Sequence, residues 1–343
     1  MALIKLPHFF TIMVSIKQVL TCTLAAALLL SCNNNAEKET KQTSDYDSLT
    51  IRLALLPTVD CLPFYYAKEE GLFDSLGIKV KLKTYRAAMD ADTAFCGTTA
   101  DAIWSDMVKA CIWRSRGDSV HVVMATQLDL YLMTAYSARI RQISSLKEKI
   151  IGITRHSAVD LTTDWILSRA KFLSTDLNKP QINDLKLRCY MVDQNQYDGA
   201  LLPEPYASEC EARGARRVIG TPELGLNLSA VVFKDSVLAR HKEDIPKLKQ
   251  AYDIAVRQLN QLIASYDSLE TDSVLMASED APQLLLMKYI PKNRSIEIPD
   301  TLVKYPQFLP ANTPSDSAFA RAKRWCQGRT LLKKDIKKED LFL

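Results

Sequence analysis

The chain lacks most of the patterns by which a catalytic or metal centre shows in a sequence. Its eight cysteines include no Cys-x-x-Cys pair and no Cys/His cluster, so neither a structural metal site nor a redox motif is expected. There is no Gly-rich phosphate loop and no nucleophile–histidine–acid signature. No internal repeat is present, which excludes a solenoid. Histidine is scarce, with only His8, His121, His156 and His241. Excess positive charge is also small. The formal net charge is +4, and residues 1–31 carry Lys5 and Lys17 with no acid, so +4 − 2 = +2 remains for the rest. Without a basic patch, nucleic acid is not an expected partner. The longest apolar run, residues 18–31, is too short and too small in side-chain volume to span a membrane.

What is present is an ordinary globular balance of 47% hydrophobic and 24% charged residues. At 343 residues the chain has room for two domains or lobes. Residues 18–31, with Lys17 before them, read as a secretion signal, and residues 13–31 form a complete signal on their own. Leu29-Leu30-Ser31-Cys32 resembles a bacterial lipobox, whose cysteine is lipidated and becomes the mature N-terminus. An ordinary signal with an incidental cysteine is the alternative. Residues 33–47 are polar and poor in hydrophobics, as expected of a flexible tether. Cys61, Cys96, Cys111, Cys189, Cys210 and Cys326 then remain in an oxidising compartment. Six cysteines allow fifteen pairings, and sequence does not choose among them. Buried free thiols are the expectation for most.

Hydrophobic periodicity gives the rest of the chain an α/β reading. Strands are expected over 49–56, 78–82, 101–104, 121–125, 150–154, 185–192, 199–202, 215–219 and 229–234. Helices are expected over 64–71, 89–97, 107–114, 159–170, 207–213, 245–266, 280–289 and 316–325. Residues 131–136 and 220–227 carry the chain between halves, and the charged segment 333–340 is solvated. In an open α/β sheet, ligands sit beyond the carboxyl ends of the strands. The loops that fall there are 58–63, 105–106, 126–129, 155–158 and 203–205.

Two separated stretches carry a family resemblance. Tyr66-Ala67-Lys68-Glu69-Glu70-Gly71-Leu72-Phe73, followed by Leu76-Gly77-Ile78, is similar to the opening of ABC-importer solute-binding proteins. The subfamily is the one that takes nitrate, alkanesulfonates, taurine and thiamine precursors. Asp198-Gly199-Ala200-Leu201-Leu202-Pro203-Glu204-Pro205-Tyr206-Ala207 is similar to a second motif of that family, in the required order. Residues 143–154 resemble its entry to the second lobe, with Ser145 in place of an aspartate and Glu148 in place of a glycine. The resemblance implies a type II periplasmic-binding-protein fold, two α/β lobes joined by two hinge crossings around a ligand cleft. Lobe one would take 49–130 and 230–343, and lobe two 131–229, after a signal over 1–31 and a tether over 32–48. It also implies a small-molecule ligand, an ABC permease as partner, and a monomer anchored by lipid on the periplasmic side of the envelope. No cofactor and no catalysis are implied.

The expected crevice residues are Asp60, Cys61, Ser105, Asp106, Gln127, Asp129, His156, Ser157, Glu204 and Asn227. Asp106 and Ser157 read equally well as helix N-caps, and Glu204 as a first-turn carboxylate favourable to the helix dipole. His156 reads as a hydrogen-bonding group rather than a catalyst. Four carboxylates in one crevice disfavour a bare anion, because desolvated like charges repel. They favour an amine-bearing or heterocyclic, pyrimidine-like solute. The alternatives are an enzyme on the same fold, acting in pyrimidine or menaquinone precursor synthesis, or a receptor lobe that reports ligand to a sensor.

Overall fold

The computed structural model describes residues 49–267 and 303–343, together with Tyr289. The expected signal, tether and lipidated Cys32 lie outside these residues, as does the helix expected over 280–289, Tyr289 apart. Among the described residues nine strands run in chain order: β1 (Thr50–Leu55), β2 (Lys79–Thr84), β3 (Ala102–Asp106), β4 (Val120–Met124), β5 (Tyr131–Thr134), β6 (Ile151–Gly152), β7 (Gly199–Leu202), β8 (Arg216–Gly220) and β9 (Ser229–Lys234). The helices among the described residues are α1 (Leu62–Glu69), α2 (Leu72–Ser75), α3 (Ala88–Cys96), α4 (Met107–Arg116), α5 (Ala158–Arg169), α6 (Leu185–Asp193), α7 (Tyr206–Ala212), α8 (Thr221–Leu224), α9 (Asp235–Arg240), α10 (Asp244–Asp267), α11 (Asp316–Gly328) and α12 (Lys338–Leu341). None is long and apolar enough to cross a membrane.

The strands form two sheets. The first has the order β2-β1-β3-β9-β4 and the second β6-β7-β5-β8. In the first, β1 runs parallel to β2 and β3, while β9 inserts antiparallel between β3 and β4. Central β3 and β9 are buried almost end to end, as strands covered by helices on both faces must be. Edge strand β2, Lys-Val-Lys-Leu-Lys-Thr, turns its lysines outward, which blunts an exposed edge. The chain leaves this sheet after β4, enters the second at β5, and returns from β8 to β9. The two crossing segments lie side by side: the Thr221 amide donates to the Leu130 carbonyl at 2.9 Å, and the Leu130 amide to the Thr221 hydroxyl at 2.9 Å. Asn227 adds a bond from its Nδ2 to the Thr126 carbonyl at 2.7 Å.

One expected element has the wrong type. Residues 185–192, expected as a strand, form helix α6. Asp184 caps it, its carboxylate accepting from the Leu187 amide at 3.0 Å. Its buried residues are Leu185, Arg188, Cys189 and Val192, a helical spacing of three and four. The alternation Leu185, Leu187 suggested a strand, but Leu187 faces solvent.

Candidate functional site

Parallel strands deliver their carboxyl ends to the region between the sheets. β1, β3 and β4 open there from the first sheet, and β6 and β7 from the second. The space is a cavity of about 60 Å³ lined from both sides. The first sheet and its helices contribute Thr58, Asp92, Trp104, Ser105, Asp106 and Lys109. The second lobe contributes Thr154, Ser157, Ala158, Leu185, Arg188 and Pro203, and the crossing segment adds Leu128 and Leu130.

Two helix N-termini face this cavity, one from each lobe. Asp106 ends β3 and caps α4, its Oδ1 accepting from the Lys109 amide at 3.0 Å. Ser157 caps α5, its Oγ accepting from the Val159 amide at 3.2 Å and donating to the Thr154 carbonyl at 2.7 Å. Both capping readings therefore hold, and both residues also line the cavity. Burial pushes the Asp106 carboxyl up to about 6, against the pull of the Lys109 charge and of the Lys109 and Ala158 amides. The Ala158 amide belongs to the opposite lobe, so Asp106 reaches across the gap. Trp104 is held on the wall by its Nε1, which donates to the Thr126 hydroxyl at 3.0 Å.

Two wall hydroxyls, Thr58 Oγ1 and Ser105 Oγ, are buried with no hydrogen-bond partner. Thr58 has the Cys61 thiol beside it, so of the two the Ser105 hydroxyl is the one free to receive a guest. The charges are uneven. Lys109 pairs with Asp92 at 2.6 Å, and burial raises the Asp92 carboxyl. Arg188 is fully buried, and among the described residues it makes no ion pair, although the Asp184 charge acts on it from a distance. Its Nε donates to the Ile182 carbonyl at 3.0 Å, its Nη1 to the Leu201 carbonyl at 2.8 Å, and its Nη2 to Ile182 and to the Thr154 hydroxyl at 2.5 Å each. Burial lowers it to about 10. Those four bonds leave one Nη1 hydrogen of its five without a protein acceptor.

The ten expected residues divide into groups. Ser105, Asp106 and Ser157 line the cavity. Asp60, Gln127, Asp129 and Glu204 form a second polar cluster beside the crossings, off the cavity wall. There the Asp129 amide donates to Asp60 at 3.2 Å, and Gln127 Nε2 donates to Asp129 at 2.6 Å. Burial and the neighbouring charges of Asp129 and Glu204 hold the Asp60 carboxyl well above its usual range. Glu204 is a structural carboxylate here: it accepts from Arg217 Nη2 at 2.5 Å and from the Ser208 amide at 3.0 Å. Its carbonyl accepts the Val59 amide across the lobes at 2.9 Å. Cys61 is wholly buried in the core, and burial pushes its thiol up. His156 is exposed and lies outside the cavity, on a left-handed residue with φ 55°. Asn227 braces the return crossing through Thr126 and the Ser229 amide. Of the four expected carboxylates, Asp106 is on the wall of this cavity, and Asp60, Asp129 and Glu204 stand together beside the crossings.

Asp92, Lys109, Thr154 and Arg188 are wall residues that sequence reasoning passed over. For Arg188 the signal was present in the Asp184 cap and the helical spacing after it.

No protein-family sequence model matches the chain, and no curated protein matches it by sequence. Solved structures do match in fold. One is the ligand-binding component of an ABC-type import system from Staphylococcus aureus with zinc bound, at 13% identity and TM-score 0.65, over 86% of this chain and 96% of that one. Another is the alkanesulfonate-binding protein SsuA from Xanthomonas axonopodis pv. citri bound to MOPS, at 13% identity and TM-score 0.65, over 83% and 95%. A third is the periplasmic nitrate-binding protein NrtA from Synechocystis PCC 6803, at 11% identity and TM-score 0.56, over 71% and 69%. The chain has the fold of these periplasmic binding proteins, two α/β lobes with a cavity between them, as its opening βαβ unit and its Pro203-Glu204-Pro205 turn imply.

Proposed function

We propose that the protein is the extracytoplasmic solute-binding component of an ABC importer, held to the membrane by lipid on Cys32. It captures a small organic solute between its lobes and passes it to a permease. The observation that carries this reading is the cavity wall itself. The unpartnered hydroxyl of Ser105 on one lobe faces Thr154, Ser157 and Arg188 on the other. A solute that bonds to both sides favours the lobes together over the lobes apart, and its binding energy then drives closure.

The wall narrows the solute. Most of it is apolar, with Leu56, Ala91, Ile103, Trp104, Leu128 and Leu185 among its members. A flat ring suits that surface. Asp106 supplies one acceptor for a solute N–H, while Ser105 and Arg188 supply donors. We therefore retain a heterocyclic, pyrimidine-like solute, with a ring N–H on the Asp106 side and a carbonyl or acidic group on the Arg188 side. A charged amine would find a single counter-charge on the wall, Asp106, since Asp92 is paired with Lys109.

Mass spectrometry of small molecules released from the protein on denaturation identifies the solute. Isothermal titration against pyrimidine-like heterocycles and sulfonates then ranks the classes. Micromolar binding of a heterocycle supports the reading; binding of a sulfonate alone overturns the solute class. Release of a converted product, lost in His156→Ala, would favour an enzyme instead. Lipidation is checked by the mass of the mature N-terminal peptide and its loss in Cys32→Ala.

A further inference from the structure

Among the described residues six cysteines are present, and one pair has its thiols in contact. Cys189 lies on α6 and Cys210 on α7, and both are buried at 2% and 0% exposure. The two helices close over Met133, Ala200 and Leu202 in a small core of their own. The Cys210 Sγ stands 2.7 Å from the Cys189 Sγ and 3.6 Å from the Cys189 carbonyl oxygen. That separation is inside the contact distance of unbonded sulfurs, so nothing lies between them. Cys61, Cys111 and Cys326 are equally buried, but none of them has a thiol within hydrogen-bond reach of another.

We infer that Cys189 and Cys210 form a disulfide that clamps α6 to α7. This rests on the extracytoplasmic reading above, because a cytosolic glutathione pool would keep such a pair reduced. The oxidant is a disulfide-bearing exchange partner, either an oxidoreductase of the compartment or oxidised glutathione. A thiolate of the pair attacks that disulfide and forms a mixed disulfide with it; the second cysteine then displaces the partner. The Cys189–Cys210 bond forms, the partner's S–S bond breaks, and its two sulfurs leave as thiols that carry the two electrons and both protons. The Cys189 contact and burial push the Cys210 thiol above its usual range, so the folded dithiol is a poor nucleophile. Exchange therefore belongs to folding, before α6 and α7 close.

The bond has a place in the site. α6 carries Leu185 and Arg188 on the cavity wall, and α7 starts from the Pro203-Glu204-Pro205 turn. Clamping the two helices fixes the buried guanidinium against the turn whose Glu204 carbonyl meets Val59 of the other lobe.

The test takes protein from the envelope fraction of a bacterial host, expressed from the full chain. It is denatured without reductant, alkylated with iodoacetamide, and cut before aspartates, which separates 184–192 from 198–234. Those fragments are expected to stay joined, two hydrogens lighter than their sum, while the other cysteines carry the label. A second sample is reduced, unfolded and refolded in glutathione buffer. Joined fragments in both samples support the proposal, and alkylated Cys189 and Cys210 in both overturn it. Joined fragments only after refolding support the pairing and overturn the extracytoplasmic reading. In Cys189→Ser, Cys210 is expected to become labelled; if it stays protected it pairs elsewhere, and the proposal fails.

Discussion

Asp106→Asn should make the protein more stable, and only at neutral and higher pH. In the folded protein burial lifts this carboxyl from its ordinary 3.8 to about 6. The folded state then holds the Asp106 proton more tightly than the unfolded chain between about pH 4 and pH 6. The sign follows: the protonated carboxyl is tolerated below pH 4, and stability falls as pH rises through 6. Above that the penalty is complete. A rise of roughly two pH steps, at about 1.4 kcal/mol each, makes it about 3 kcal/mol. Asparagine keeps the shape and the capping oxygen that accepts from the Lys109 amide, gives up the second acceptor that meets the Ala158 amide, and carries no charge to desolvate. Thermal unfolding of parent and variant by circular dichroism, at pH 4, 6 and 8, reads the difference. The variant should melt roughly 5–10 °C higher at pH 8 and within error of the parent at pH 4. A variant less stable than the parent at pH 8, or a gap that is the same at pH 4 and pH 8, would refute the reasoning.

Other substitutions probe the remaining parts. Arg217→Met strips the buried Glu204 of its guanidinium and leaves it only the Ser208 amide. Breaking a buried pair costs about 3–5 kcal/mol, and adding Glu204→Gln should recover most of it; a loss under about 1 kcal/mol by thermal unfolding would contradict the assignment. Ser105→Ala removes a buried hydroxyl that has no partner, so stability should hold or rise by up to about 1 kcal/mol. Its affinity for the solute, by isothermal titration, should fall about 5- to 30-fold. Gly199→Ala would place a Cβ 2.5 Å from the Met133 carbonyl oxygen and 3.0 Å from Ile151 Cδ1 inside the second sheet. A loss of about 2 kcal/mol is expected, measured by denaturant unfolding; an unchanged midpoint would show that the sheet yields freely there.

The sequence spelled out its architecture well wherever one signal dominated. The apolar runs of β1, β7 and β9 and the caps at Asp106 and Ser157 read directly as buried strands and helix starts. It misled where two signals competed. At residues 185–192 a short alternation of leucines masked a helical stripe, and the error hid Arg188, because a strand would have placed that side chain elsewhere. The site was legible as a set of loops but not as a set of side chains. Sheet-edge logic puts Asp60, Asp129 and Glu204 near the crevice, and they are near it. Which way each points depends on long-range partners, such as Arg217 for Glu204 and the Asp129 amide for Asp60, that no local pattern announces. The unpartnered hydroxyl of Ser105 is likewise a property of the packed molecule alone.

The most direct test is a crystal structure of the protein with the solute it carries out of the envelope. Electron density for that molecule should fill the space between Ser105 and Ser157, with a polar atom in hydrogen-bond reach of the Ser105 hydroxyl. Density on any other surface, with this cavity holding only water, would contradict the account.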